Sequence, residues 1–82
     1  MTRESKKIQA EKIVAYFRSH KSATGHTYTA KVWEVPDRIR VYVEECGEDR
    51  GYIVFLDGDL EIRGRCGNHG GQIIAMARAA IE

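Results

Sequence analysis

Apolar side chains recur at Ala10, Ile13, Val14 and Phe17, the i, i+3, i+4, i+7 spacing of one helix face. The spacing predicts a first helix from about Arg3 to Ser19. Thr2 is placed to cap it, and Ser22-Ala23-Thr24-Gly25 ends it. From His26 the period falls to two. Strands are predicted over 26–35, 38–46, 51–56 and 59–66, rich in Val, Ile, Tyr and Thr. Pro36-Asp37 makes the first turn, because Pro presets φ for one central turn position and Asp suits the next. Residues 47–50, Gly-Glu-Asp-Arg, read as a longer polar loop. Asp57-Gly58 favours a two-residue type I′ hairpin, in which both central residues need φ > 0. Residues 67–71, Gly-Asn-His-Gly-Gly, lead into a last helix over 72–81. Its stripe is Ile73, Ile74, Ala77 and Ile81, flanked by Met76 and Ala80.

Register follows from the turns. With Pro36-Asp37 as the loop, Val35 stands opposite Arg38, and every later pair is fixed. Tyr28, Ala30, Val32, Ile39, Val41 and Val43 then share one face. Lys31, Trp33, Arg38, Arg40 and Tyr42 share the other. In the second hairpin, with Asp57-Gly58 as its loop, Ile53, Phe55, Leu60 and Ile62 face inward; a three-residue loop would exchange the two sets of the third strand, while the fourth is steadier. Tyr52, Val54, Leu56, Glu61 and Arg63 face outward, with Arg65 farther along. Two amphipathic helices bury their stripes most simply on the apolar face of one sheet. The expected fold is α+β: a two-layer sandwich with a four-stranded antiparallel meander and both terminal helices on one face, in the order α-β-β-β-β-α. Its second face is left uncovered, presenting Trp33, Tyr42 and Tyr52 among Lys31, Arg40, Arg63 and Arg65.

The 82 residues allow one domain over 1–82 and a single core. Hydrophobic content of 43% and charged content of 30% are those of a folded globule. Net charge is only +1, but its distribution is polarised. Residues 1–26 carry six Lys/Arg against two carboxylates, residues 27–61 four against nine, and residues 62–82 three against one. Such a surface orients an anionic partner even near neutrality. No signal-like or membrane-length apolar run is present, and the expectation is a cytoplasmic protein with Cys46 and Cys66 reduced.

Aromatic rings among cations on a sheet suit unpaired bases, with rings stacking on bases and guanidiniums meeting phosphates. Interfaces between proteins enrich the same residue types, so a protein partner or a second copy of the chain fits the same face. Ordinary strand propensity and an internal Arg–Trp contact account for it as well. The basic side of the first helix (Lys6, Lys7, Lys12, Arg18, Lys21) is a further phosphate contact or simply a solvated face. Asn68, Gly70 and Gly71 precede a helix start and offer backbone N–H groups to an anion. Their plainer role is a turn with Asn68 as cap and glycines at positive φ. No nucleotide-cofactor pattern is present, and no cofactor is expected.

Cys66 and His69 have C-x-x-H spacing, and Cys46 and His26 could complete a zinc set if folding gathered them. Alternatively, Cys66 is a nucleophile at a helix start, or a small thiol in the core. The acidic run Glu44, Glu45, Glu48 and Asp49 includes carboxylates that could bind a divalent ion, but no D-x-D-x-D-G pattern is present and it reads by default as a solvated loop. His20 and His26 are given no role. No acid/base pair or nucleophile set has the company catalysis needs, so a non-enzymatic binding module is expected.

The helix–strands–helix order, with a glycine-containing turn before Ala-rich residues 74–80 (Ile-Ala-Met-Ala-Arg-Ala-Ala), is similar to the double-stranded-RNA-binding domain. That family has a Lys-rich start to its last helix, where this chain has Asn68-His69-Gly70-Gly71-Gln72. The fourth strand also departs from its pattern. The resemblance therefore concerns topology and one segment.

Overall fold

The computed structural model describes residues 3–36, 38–56 and 59–82. In chain order the elements are α1 (Arg3–Ser19), β1 (Thr29–Val35), β2 (Arg38–Glu45), β3 (Glu48–Leu56), β4 (Asp59–Arg63) and α2 (Gly70–Ile81). A 3₁₀ turn, Gly67–His69, leads into α2. The strands form one antiparallel sheet in sequence order, the expected α-β-β-β-β-α layout. Val35 pairs with Arg38 and Leu56 with Asp59, as two-residue connections require. The turn residues Asp37, Asp57 and Gly58, and the expected cap Thr2, lie outside the described residues.

Both helices cover the same face. α1 packs on β1 and β2, α2 packs on β4 and β3, and the helices touch each other. Ala10, Ile13 and Phe17 of α1 meet Ile39, Val41, Val43, Ile53, Phe55 and Leu60 of the sheet, and Ile73, Met76 and Ala77 of α2 close the core. Removing such apolar surface from water is the main term holding a chain this short together. In α2 the buried stripe is rotated from the expected one. Met76 is inside, while Ile74 and Ile81 are only partly buried, because α2 leans toward α1 as well as onto the sheet.

Four boundaries differ from the sequence expectation. β1 begins at Thr29, not His26, and residues 26–28 approach the sheet without joining its ladder. β4 ends at Arg63, because Gly64 at φ +89° turns the chain away, so Arg65 sits in a bend beyond the sheet. α2 starts at Gly70, which has helical φ (−53°), and no side chain caps it; Asn68 lies within the 3₁₀ turn and is not a cap. The polar loop over 47–50 is instead a two-residue turn, Cys46-Gly47, at φ +52° and +83°, followed by the first residues of β3. Polar residues continue the ladder there because pairing at the end of a sheet needs backbone groups, not apolar side chains.

Between the pairs Tyr42–Tyr52 and Glu44–Asp49 the register shifts: two steps along β2 are matched by three along β3. This bulge centres on Arg50-Gly51, and the Asp49 carboxylate accepts a hydrogen bond from the Gly51 N–H at 2.8 Å. A bulge re-aims a side chain. Strict alternation from Tyr52 would put Arg50 on the open face; instead its guanidinium reaches Glu45 on the helix-covered side. Gly51 makes the bulge feasible. It adopts φ +90°, and a Cβ would collide with the Arg63 carbonyl oxygen. Gly51→Ala is therefore expected to cost roughly 1–3 kcal/mol in urea unfolding, from backbone strain at positive φ plus the displaced β4 backbone. Gly25→Ala is the control. It shares the positive φ (+85°) but meets nothing within 4 Å, so it should lose clearly less. Equal losses would contradict the bulge packing.

Candidate functional site

The face opposite the helices carries two cross-strand rows. One is Trp33, Arg40, Val54 and Glu61; the next is Lys31, Tyr42, Tyr52 and Arg63. Cross-strand neighbours on one face are in contact range, and the rings form a continuous run. Trp33 meets Tyr42 edge to face at 5.9 Å, and Tyr42 meets Tyr52 at 5.3 Å. The Trp33 side is open, with 42% of the residue exposed. Arg40 lies among the rings, its guanidinium carbon 4.6 Å from the Tyr52 centroid and 5.6 Å from that of Trp33. It donates to the Tyr42 hydroxyl at 3.2 Å, while its buried Nε–H has no acceptor. Attraction to the ring faces offsets part of that cost.

Arg63 is bound to Glu61 at 2.8 Å on the same strand. Lys31 is exposed beside Trp33. Arg65 is exposed but off the sheet, so the seven residues expected to share this face reduce to six. An open cleft of ≈ 290 Å³ runs past the row containing Arg40. Among the described residues, Lys6, Arg38, Arg40 and Arg63 line it and no carboxylate does. A second groove of ≈ 330 Å³ borders Lys31, Trp33 and Tyr42 on the side of Glu44 and Asp49. At the start of α2, Gly70 is buried, Gly71 and Asn68 are exposed, and the His69 N–H is already bonded to the Cys66 carbonyl at 2.9 Å.

A polar cluster sits at the other end of the molecule's covered face. Ser22 pins His26 from both sides. Its N–H donates to the His26 carbonyl at 2.9 Å, and its buried hydroxyl accepts the His26 N–H at 3.0 Å. The His26 Nδ1 then lies 2.6 Å from Glu45, the last residue of β2. Arg50 donates to the other Glu45 oxygen at 3.2 Å and to Glu48 at 2.7 Å. From the 3₁₀ turn comes His69, whose Nδ1 is 2.7 Å from the hydroxyl of the fully buried Tyr28 and 4.0 Å from Glu45. The two imidazoles meet edge to face at 5.1 Å. Burial, then the Glu45 charge, raises the Tyr28 hydroxyl above the ordinary range, so it stays protonated. Hydrogen bonding from His26 lowers the Glu45 carboxyl, against the opposing effect of burial and with Arg50 assisting.

Cys66 is not among the donors that gather around His69. The Cys66 sulfur packs where α2 begins, close enough that a Cβ on Gly70 would lie 3.2 Å from it, and Cys46 is exposed in its turn. Among the described residues, the metal-type donors that do converge are His26, Glu45 and His69. Sequence reasoning considered His26 only as a complement to the cysteines and read the acidic run that contains Glu45 as solvated. The signal was available in strand parity, since His26 and Tyr28, like Val43 and Glu45, fall on the covered side. Arg50 was hidden by the bulge. No protein-family model, no curated protein and no solved structure matches the chain.

The Glu45 carboxyl is expected to titrate below the ordinary Glu range. A lowered value means its stabilising interaction is complete above that range and is lost as pH falls through the folded-state value. Carbon-detected NMR titration of Glu45 checks this, and His26→Ala should move the midpoint up. An ordinary midpoint unaffected by His26→Ala would contradict it.

Proposed function

We propose that the protein is a small nucleic-acid-binding module that takes unpaired bases on Trp33 and Tyr42 and phosphates in the adjoining basic cleft. The observation that carries this is the juxtaposition of rings on the uncovered face with a basic cleft at its margin, to which α1 contributes Lys6. A run of three touching rings adjoins, through Arg40, a cleft whose charged lining among the described residues is Lys6, Arg38, Arg40 and Arg63, the last paired with Glu61. Base faces stack on rings whatever the base, and cations follow a phosphate backbone, so this pairing suits single strands with little sequence preference. Lys31 extends the positive margin, and Tyr52 holds Arg40 in place rather than meeting a base itself.

A second use of the same face has its own support. Trp33 and Leu56 are two of the three exposed large apolar residues among those described, and both lie here; Ile8 is on α1. Contact with another protein, including a second copy, would bury them.

Light scattering with size-exclusion separates the two, run with and without single-stranded oligonucleotides. The nucleic-acid function predicts a monomer that takes up oligonucleotide with quenching of Trp33 emission. Trp33→Ala should weaken binding about 5- to 150-fold, the loss of one stacked base at about 1–3 kcal/mol. Removing one phosphate contact with Lys6→Ala should flatten the log–log salt dependence by about 0.7. Absence of quenching at low salt with single- and double-stranded DNA and RNA would eliminate it. A dimer abolished by Trp33→Ala would favour the second use.

A further inference from the structure

We propose that His26, Glu45 and His69 form a binding site for a divalent transition-metal ion of the zinc class. Their donor atoms all lie within 4.8 Å of one another. In a tetrahedral zinc site with bonds of about 2.0–2.1 Å, donors stand about 3.4 Å apart, so closure needs shifts of roughly 1 Å. The three residues come from three separate places: the connector after α1, the end of β2 and the turn before α2. Two imidazoles and one carboxylate form a borderline donor set. It suits zinc and its neighbours and does not suit calcium or magnesium, which prefer all-oxygen shells.

The surroundings hold each donor for this task. Ser22 fixes the His26 backbone on both sides. Arg50 takes Glu45 Oε1, leaving Oε2, the atom facing His26, to bind the ion. Nδ1 of His69, 4.0 Å from Glu45, is held by the Tyr28 hydroxyl, and with that nitrogen engaged the ion would take Nε2. A hydrogen bond on the second imidazole nitrogen is the usual support for a metal-ligating histidine. The metal takes the place of the hydrogen bond now made between His26 Nδ1 and Glu45 Oε2. The His26 side chain is 40% exposed, which gives the ion an entry path and leaves room for water in the remaining positions. Neither Cys66 nor Cys46 belongs to the set.

The test uses the chelator-treated full chain without oligonucleotide, so it stands or falls separately from the function of the open face. Calorimetry with Zn²⁺ should give one ion per chain, and Co²⁺ should give visible ligand-field bands without a thiolate charge-transfer band. His26→Gln and His69→Gln should abolish both signals while far-UV circular dichroism stays native. Tyr28→Phe should weaken binding about 10- to 100-fold. Cys46→Ser/Cys66→Ser should bind like the parent. The site is overturned by an absence of Zn²⁺ uptake at millimolar metal, by uptake that survives the two histidine changes together, or by a thiolate band in the Co²⁺ spectrum.

Discussion

Burial of one side of the sheet is the constraint from which the rest follows. Val41, Val43, Ile53 and Phe55 point at α1 and α2, and Ile13, Phe17 and Ile73 are fully enclosed against them. With a period of two, every apolar residue driven inward sends its neighbours outward. Both helices are needed to cover one face, and the other is left to solvent among the described residues. Trp33 is exposed and Tyr42 and Tyr52 are half-buried on that face for that reason, and Arg40 lies across them because its position in β2 allows no other side.

The same alternation fails at one place, and the failure is productive. The extra residue at Arg50-Gly51 brings a cation to the covered side, where Glu45 and two imidazoles already meet. Buried polar groups persist only when their hydrogen bonds are made. Here Tyr28 serves His69, Arg50 serves Glu45, and Ser22 serves the His26 backbone. The chain thus presents two chemistries on opposite faces of the sheet: rings and cations on the open one, and nitrogen and oxygen donors at the end of the core.

The pattern of apolar residues made much of this legible. Residues 10–17 defined α1, the Val35–Arg38 pairing fixed the faces of β1 and β2, and the second hairpin loop gave those of β3 and β4. What escaped depended on backbone details that side-chain pattern does not encode. Cys46 at positive φ turned an expected loop into a tight turn and lengthened β3. Gly64 cut β4 short and removed Arg65 from the sheet. The histidine cluster was half visible. Parity placed His26, Tyr28 and Glu45 on one side, but the arrival of His69 depended on how the 3₁₀ turn folds back, and polarity alone marked Glu45 as solvated.

The account is tested most directly by the chain's single indole, since one tryptophan reports on one face. Collisional quenching of the free protein by iodide and by caesium reads both the exposure of Trp33 and the sign of charge around it. A half-open ring near Lys31 and Arg40 should emit at long wavelength and be quenched by both ions, more strongly by iodide. A short-wavelength emission that neither ion touches would mean the indole is covered, and a sheet shielded on one side only would be the wrong structure.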